Sequence, residues 1–248
     1  MELKNRILKI IRSVLNPAGY DIVKYRTTYP SHIIRDLLER NNIGVVIDVG
    51  ANEGQYSHEL RKAGYKGKII SFEPLGEAFS ILQKRSSKDG RWQSLRYALG
   101  DSSGTGKINV SKHSPSSSLL PMTDLHREAA PGSGYFTEEQ IEIRTLDSII
   151  GELDINGQKI FMKVDTQGYE MAVLRGSENS LHSVAGLQLE LSAARLYEGE
   201  ELYYTVCRYA EDRGFRLVRI IPGYTSRTTG EMLQFDAIFL RETINRPL

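Results

Sequence analysis

The sequence predicts a single α/β domain, built on a mostly parallel sheet with helices on both faces. Val45–Val49 is apolar except for Asp48, as expected of a parallel strand that helices cover on both faces. A glycine turn follows, and Tyr56, Leu60 and Ala63 then recur at helical spacing. Strand-like and helix-like segments alternate along the remaining chain, which favours a parallel sheet with helical crossovers.

Each predicted helix has an apolar stripe or a recognisable boundary. Pro30 begins one helix, Thr145 is the predicted N-cap of another, and Gly176 and Gly214 end two more. The predicted helices cover residues 2–15, 30–40, 56–63, 76–87, 146–150, 169–175 and 200–213.

The predicted strands are short apolar or alternating runs. They cover residues 45–49, 67–72, 92–98, 107–111, 141–144, 159–164, 184–191, 215–221 and 232–240. The last two are joined by Pro222–Glu231, which is too short for a helical crossover, so this pair is predicted to be antiparallel.

Residues 1–29 are predicted to be an N-terminal amphipathic helix and connector, with the main domain at 30–248. Within residues 2–15 the apolar side chains share one helical stripe, and the basic ones lie largely on the other side. Packing of the stripe on the domain or on a second subunit, in a possible homodimer, is the favoured interpretation. Peripheral contact with anionic lipid is the alternative. No run approaches the ~18–20 apolar residues of a membrane span, and basic residues interrupt any signal peptide, so a cytoplasmic protein is expected.

Residues 112–140 contain three prolines, a serine run at 114–118 and Gly132-Ser133-Gly134. A long irregular segment inside a compact domain is usually functional or disordered. Residues 112–140 are therefore predicted to form one irregular loop.

Composition argues against some classes of function. The formal net charge of +1 gives no basic footprint for nucleic acid, so no nucleic-acid partner is expected. Cys207 is the only cysteine, which rules out an intrachain disulfide and paired-cysteine zinc sites.

The turn after the first strand indicates the kind of ligand. It offers Gly50 and Gly54 with Ala51-Asn52-Glu53 between them, whereas a dinucleotide fingerprint requires G-x-G-x-x-G. Glu53 at the start of a helix would repel a pyrophosphate, so a ligand with positive charge fits better.

Five motifs in order carry a resemblance to a known family. They are Asp48–Gly54 with Phe72-Glu73-Pro74, Ala98–Asp101, Ser116–Leu119, Thr145–Asp147 and Lys163–Glu170. Together they resemble the FkbM-type family of class I S-adenosylmethionine-dependent methyltransferases over roughly residues 43–240. The resemblance implies a Rossmann-like, seven-stranded sheet with one antiparallel strand, S-adenosylmethionine as cofactor, and a small-molecule or glycan acceptor methylated on a hydroxyl. It also implies that the loop 112–140 is a lid over the acceptor site.

The predicted cofactor site lies at the carboxyl ends of the strands, near the point where strand order reverses. Glu73 is expected to be exposed there and to accept both ribose hydroxyls. Asp48 either lies near the methionine end of the cofactor or only braces the turn, and Asp101 either contacts the adenine or only caps a turn. The predicted cofactor-binding residues are Asp48, Gly50, Ala51, Asn52, Gly54, Tyr56, Glu73, Pro74, Ala98, Leu99 and Asp101.

The predicted catalytic residues are Asp165, Glu190 and His113. Asp165 and Glu190 each end a central strand and could remove or hold a proton, and His113 has an intrinsic pKa near neutrality. A divalent ion held by Asp165, Glu170 and Glu190 is possible but not favoured. Gln167 stands where members of the family commonly carry Glu.

Two other functions are compatible with the same pattern. An NAD-linked oxidoreductase or epimerase is disfavoured by the missing middle glycine. A non-catalytic docking scaffold is disfavoured by the intact set of acids and glycines. The sequence leaves the methyl acceptor and the oligomeric state open.

Overall fold

A computed structural model describes residues 2–22 and 29–241, with side chains from residue 6 onward. Part of the predicted connector (23–28) and the end of the predicted domain (242–248) lie outside the described residues. The α-helices are α1 Glu2–Leu15, α2 Pro30–Arg40, α3 Gln55–Ala63, α4 Gly76–Ser86, α5 Asp124–Ala129, α6 Leu146–Ile149, α7 Glu170–Arg175 and α8 Tyr203–Glu211. The strands are β1 Val45–Val49, β2 Lys68–Phe72, β3 Trp92–Leu95, β4 Ala98–Leu99, β5 Gly104–Ser111, β6 Tyr135–Arg144, β7 Ile160–Val164, β8 Val184–Ser192, β9 Phe215–Pro222 and β10 Gln234–Arg241.

Seven of these strands form one sheet in the order β3-β2-β1-β7-β8-β10-β9. The pairs from β3 to β8 are parallel, and β10 runs antiparallel to both β8 and β9. The predicted fold class is therefore confirmed, including the reversed strand near the C-terminus. Strand order reverses between β1 and β7, so the carboxyl ends of these two strands frame a natural binding crevice.

The two faces of the sheet have separate hydrophobic cores. Val46 of β1 packs with side chains of α2, α3 and α4, including Leu38 and Leu60. Val45 and Ile47 pack on the opposite side, with side chains of α6, α7 and α8. All five residues of β1 are buried, which explains why this strand is apolar without alternation.

A second sheet, with the order β4-β6-β5, was not predicted. The predicted strand 92–98 ends at Leu95, and Ala98–Leu99 pairs instead with β6. The predicted strand 141–144 is the end of a longer strand, β6, which pairs antiparallel with β5. Sequence periodicity reports which face of a strand is buried, and it does not report which sheet the strand joins.

The prediction that residues 112–140 form one irregular loop is wrong in part. The segment contains a 3-10 helix at Ser114–Ser116, helix α5 and the first half of β6. Thr123 caps α5 by accepting a hydrogen bond from the backbone N–H of His126. Met122 is buried and packs in a small apolar cluster with Tyr197. These contacts order a segment whose composition alone indicates a loop.

Helix α1 is confirmed, and it ends at a 3-10 turn, Asn16–Ala18, with Gly19 in the left-handed region. Ile7, Ile10 and Val14 are exposed, so packing on the domain does not account for this part of the apolar stripe. Within the described ranges, no helix is both long and apolar enough to cross a membrane.

Candidate active site

A cavity of about 420 Å³ opens at the carboxyl ends of β1, β2, β7 and β8. Its volume lies within the ~300–1,000 Å³ that is usual for small-molecule sites. Ten of the predicted site residues line it: Gly50, Ala51, Asn52, Tyr56, Glu73, Pro74, Ala98, Leu99, Asp165 and Glu190. Parallel strands bring these distant sequence positions together because their carboxyl ends share one edge of the sheet.

The glycine turn lies directly against the end of β7. Gly50 has a φ of +74°, and its N–H donates to the carbonyl oxygen of Phe72 at 3.1 Å. A Cβ at Gly50 would lie 1.9 Å from the carbonyl oxygen of Asp165. Only glycine combines this conformation with so close an approach. The turn therefore positions the backbone of Asp165, the predicted base, and forms part of the cavity wall.

Gly54 has a different role from the one predicted. It lies outside the lining of the cavity, has a φ of +83° and precedes α3. A Cβ there would lie 2.8 Å from Leu82 and 2.9 Å from Trp92. Gly54 thus lets the turn pack against α4 and β3.

Glu73 lines the cavity but is buried, with 4% of its surface exposed, so the expectation of an exposed carboxylate is wrong. Its Oε2 accepts from the N–H of Asn52 at 2.8 Å, and its Oε1 accepts from the N–H of Leu75 at 2.9 Å. Burial raises the pKa of Glu73 to about 7, although the two backbone hydrogen bonds oppose that shift. Each carboxylate oxygen retains capacity for a further donor, so Glu73 can brace the turn and still accept ribose hydroxyls.

A row of polar side chains crosses the sheet beneath the cavity. Ser71, Asp48, Lys163 and Gln188 occupy paired positions on β2, β1, β7 and β8. Asp48 is fully buried outside the cavity lining, where its Oδ2 accepts from the hydroxyl of Ser57 at 2.7 Å. Its Oδ1 lies 3.5 Å from Lys163 Nζ. Asp48 therefore supports the site from below, which corrects its prediction as a cofactor contact.

The row continues through Gln188, which joins Tyr56 of α3 to Asp236 of the reversed strand β10. The hydroxyl of Tyr56 donates to Gln188 Oε1 at 3.0 Å, and Gln188 Nε2 donates to Asp236 Oδ1 at 3.1 Å. Tyr56, Gln188 and Asp236 all line the cavity. This chain of hydrogen bonds fixes one wall of the cavity with side chains from α3, β8 and β10.

Asp165 and Glu190 are joined through Gln167. Gln167 Nε2 donates to Asp165 Oδ1 at 2.9 Å and also to Glu190 Oε2. Lys163 Nζ lies 3.2 Å from Asp165 Oδ2, and Gln234 Nε2 donates to Glu190 Oε2 at 3.0 Å. One amide therefore contacts both predicted catalytic carboxyls and fixes their separation.

The surroundings drive the two carboxyls toward opposite protonation states. Withdrawal from water raises the pKa of Glu190 well above its ordinary value, and the neighbouring charge of Asp165 adds to this. Withdrawal from water would raise the pKa of Asp165 as well, but the Lys163 ammonium and the Gln167 amide bring the pKa of Asp165 below its ordinary value. Asp165 is thus the stronger acid of the pair, so the first proton that the pair loses leaves Asp165 as the anion.

The serine run 114–118 forms a strap across one side of the cavity. Asn52 Nδ2 donates to Ser114 Oγ at 2.8 Å, and Ser118 Oγ donates to the backbone oxygen of Gln167 at 2.6 Å. The hydroxyl of Tyr197 donates to Gln167 Oε1 at 2.7 Å. The strap is therefore tied at one end to the glycine turn and at the other to the turn that carries Asp165.

Asp101 and His113 are not brought to the cavity. Both are exposed and lie outside its lining. Asp101 accepts from the hydroxyl of Ser102, while the His113 ring is 3.4 Å from Ser116 Oγ. The set of candidate catalytic residues is therefore reduced to Asp165 and Glu190.

Glu170 faces the backbone of its own turn. Its Oε1 accepts from the N–H of Thr166 at 2.7 Å and from the N–H of Gly168 at 3.3 Å. Burial raises the pKa of Glu170 to about 7. In the part of the chain that the structure describes, no group of three or more His, Cys, Asp or Glu side chains is placed to hold a metal ion.

Sequence reasoning missed Lys163, Gln188 and Asp236 as parts of the site. Each is a polar residue inside a mostly apolar strand of the main sheet, and that is the signal that could have identified them. The cavity is lined by four acids (Glu73, Asp165, Glu190 and Asp236) and by Lys163, whose charge is engaged by Asp48 and Asp165. A cationic ligand favours the ionised forms of Glu73 and Asp236 beside the anion of Asp165. The bare backbone at Gly50 allows close approach, so these residues fit a sulfonium nucleoside.

Comparison with known proteins gives one family. A family model described as Methyltransferase FkbM domain matches residues 48–217. Methyltransferase sdnD of Sordaria araneosa is 23% identical over 218 residues, covering 79% of this chain and 82% of that protein. Hexuronic acid methyltransferase AglP of Haloferax volcanii is 28% identical over 165 residues, covering 65% of this chain and 62% of that protein. The matched part thus spans less than two thirds of AglP.

Among solved structures, the chain is similar to a magnesium protoporphyrin IX methyltransferase from Synechocystis PCC 6803 with bound SAM. The TM-score is 0.46 at 12% sequence identity, over 94% of this chain and 96% of that one.

Proposed function

Because this chain belongs to the FkbM methyltransferase family, we propose that it transfers the methyl group of S-adenosylmethionine to a hydroxyl oxygen of a sugar, polysaccharide or natural-product acceptor. The observation that carries the proposal is the carboxyl pair, Asp165 and Glu190, beside a glycine turn and a strand-end carboxylate in one acidic cavity. The name of one relative, a hexuronic acid methyltransferase, supports a sugar acceptor.

The cofactor end of the cavity is formed by the turn after β1 and by Glu73. Gly50 and Ala51 present bare or nearly bare backbone, and the buried Glu73 carboxylate faces the same space. S-adenosylmethionine supplies an electrophilic methyl group on a positively charged sulfur. The acids of the lining favour that positive charge. The cavity should therefore bind the charged donor better than a nucleoside analogue that carries a negatively charged phosphate.

The acceptor end is formed by Asp165, Glu190 and the strap. Methyl transfer is an in-line displacement, so holding the acceptor oxygen at the right distance and angle supplies most of the rate. Asp165, the anion of the pair, accepts the proton of the acceptor hydroxyl, which adds a smaller factor. Glu190 carries its own proton and can donate to a neighbouring acceptor oxygen. The segment 112–140 covers this end through its serine run.

Two measurements test the proposal. Calorimetry with S-adenosylhomocysteine should show saturable binding, and NADH titrated in the same way should show none. Mass spectrometry should then detect a gain of one methyl group in a member of a panel of neutral sugars, uronic acids and polyketide alcohols incubated with the labelled donor. Binding of NADH but not S-adenosylhomocysteine would support an oxidoreductase or epimerase. Binding of neither would favour a docking scaffold.

A further inference from the structure

Helix α1 presents an uncovered apolar stripe to solvent. Ile7, Ile10 and Val14 recur at spacings of three and four residues and are 49%, 66% and 70% exposed. Tyr20, just beyond the helix, is 69% exposed. The stripe has no place in the domain cores, because no α1 side chain belongs to any of the hydrophobic clusters formed by the described residues.

The same helix concentrates positive charge. Its sequence contains Lys4, Arg6, Lys9 and Arg12 against Glu2, a net charge of +3, whereas the whole chain carries only +1. Arg6 and Lys9 are exposed, and Arg12 pairs with Asp21 at 2.8 Å. The rest of the chain therefore carries a net charge of −2.

The positive charge of α1 decides between two partners for the apolar stripe, a second copy of the chain and a membrane surface. A second copy docked on this stripe would bring two helices of net charge +3 together, and like charges that face each other across an interface oppose association. An anionic bilayer offers complementary charge instead. A helix with an apolar face and a basic face, and with low overall hydrophobicity, lies in the plane of the membrane interface.

We propose that α1 is a peripheral membrane anchor, which docks the enzyme on anionic phospholipid through Ile7, Ile10 and Val14 with Arg6 and Lys9 at the headgroups. The apolar side chains enter the boundary between headgroups and acyl chains, and Tyr20 lies at the same level. The anchor does not depend on the methyl acceptor, since the stripe and the cavity share no residue.

Vesicle co-sedimentation with the full chain tests the anchor. We expect binding to phosphatidylcholine vesicles that contain phosphatidylglycerol, little binding to pure phosphatidylcholine, and weakening by salt. Arg6→Gln and Lys9→Gln should each weaken binding about fivefold, since one surface cation near anionic lipid contributes about that factor. Ile10→Asp combined with Val14→Asp should abolish sedimentation.

The matched control is for Ile10→Asp alone: Ile220→Asp places one aspartate on a half-exposed apolar side chain of the edge strand β9. It should leave vesicle binding unchanged, and S-adenosylhomocysteine binding in all variants should report an intact domain. Failure of the wild-type chain to bind anionic vesicles at low salt would overturn the proposal. It would also be overturned by a dimer in light scattering that Ile10→Asp dissociates, because the second copy would then be the occupant.

Discussion

The contact between Gly50 and Asp165 can be tested by adding a single methyl group. Gly50→Ala places a Cβ 1.9 Å from the Asp165 carbonyl oxygen, whereas carbon and carbonyl oxygen normally approach to about 3.3 Å. The turn or the end of β7 would have to move by more than about 1 Å. We expect the left-handed conformation to cost about 1–2 kcal/mol and the forced repacking about 1–3 kcal/mol more.

Gly157→Ala is the matched control for this substitution. Gly157 has the same φ of +74°, but no atom lies within 4 Å of the position that its added methyl group would take. It should therefore show the conformational cost alone, and the entropy that alanine removes from the unfolded chain cancels between the two variants. The difference between their free energies of unfolding isolates the close approach to Asp165.

Urea denaturation measures the free energies of unfolding, and single-turnover methyl transfer measures the effect on catalysis. A displacement of about 1 Å in the turn that carries Asp165 should slow transfer roughly a hundredfold in Gly50→Ala. Gly157→Ala should retain the wild-type rate. Equal loss of stability in both variants would refute the reasoning, because the turn would then have room for a side chain.

Four further predictions concern the carboxyls of the site. Glu73→Ala should weaken S-adenosylhomocysteine binding by about 1–3 kcal/mol in calorimetry, the usual cost of lost charge-assisted hydrogen bonds; unchanged affinity would contradict its role. Asp165→Asn should bind that ligand normally and transfer methyl slowly, and full activity in this variant would move the base to Glu190. Glu170→Gln should flatten the pH dependence of stability. In the wild type this carboxyl has a pKa of about 7 in the native state against 4.5 for the free side chain, so the native state binds more protons between these pH values. The free energy of unfolding of the wild type therefore falls by about 3 kcal/mol as pH rises through that range, and the variant should lack this fall. Gln167→Glu should raise the pKa of Asp165 and shift the acidic limb of the rate profile to higher pH, whereas Gln93→Glu, on an exposed edge position, should leave the profile unchanged.

The elements and the cavity were predictable where local sequence reports burial directly. The apolar run of β1 and the glycine turn after it predicted where the cavity lies, and the short link before β10 predicted the reversed strand. The small second sheet was not predictable, because β4 and β6 are far apart in the chain and their pairing has no local signal. The choice of His113 as a catalytic residue rested on its intrinsic pKa, which does not report how far the side chain lies from the cavity.

The role of Glu73 shows a second limit of sequence reasoning. Its position at the end of β2 was correctly identified as part of the pocket, but its backbone partners, Asn52 and Leu75, depend on how two turns meet in space. Lys163 lay inside a predicted strand, and its ion pairs with Asp48 and Asp165 follow from the register between β1 and β7. Register between distant strands is set by tertiary packing, which a single sequence does not display.

The buried polar row beneath the cavity has a consequence for engineering this enzyme. Replacing a buried ion pair such as Asp48–Lys163 with well-packed apolar side chains is often neutral or favourable for folding. Heat-tolerance screens that ignore turnover would therefore tend to enrich variants that have lost the ammonium group beside Asp165. Directed evolution for thermal robustness should hold Asp48, Lys163 and Gln188 constant, or select for methyl transfer in every round.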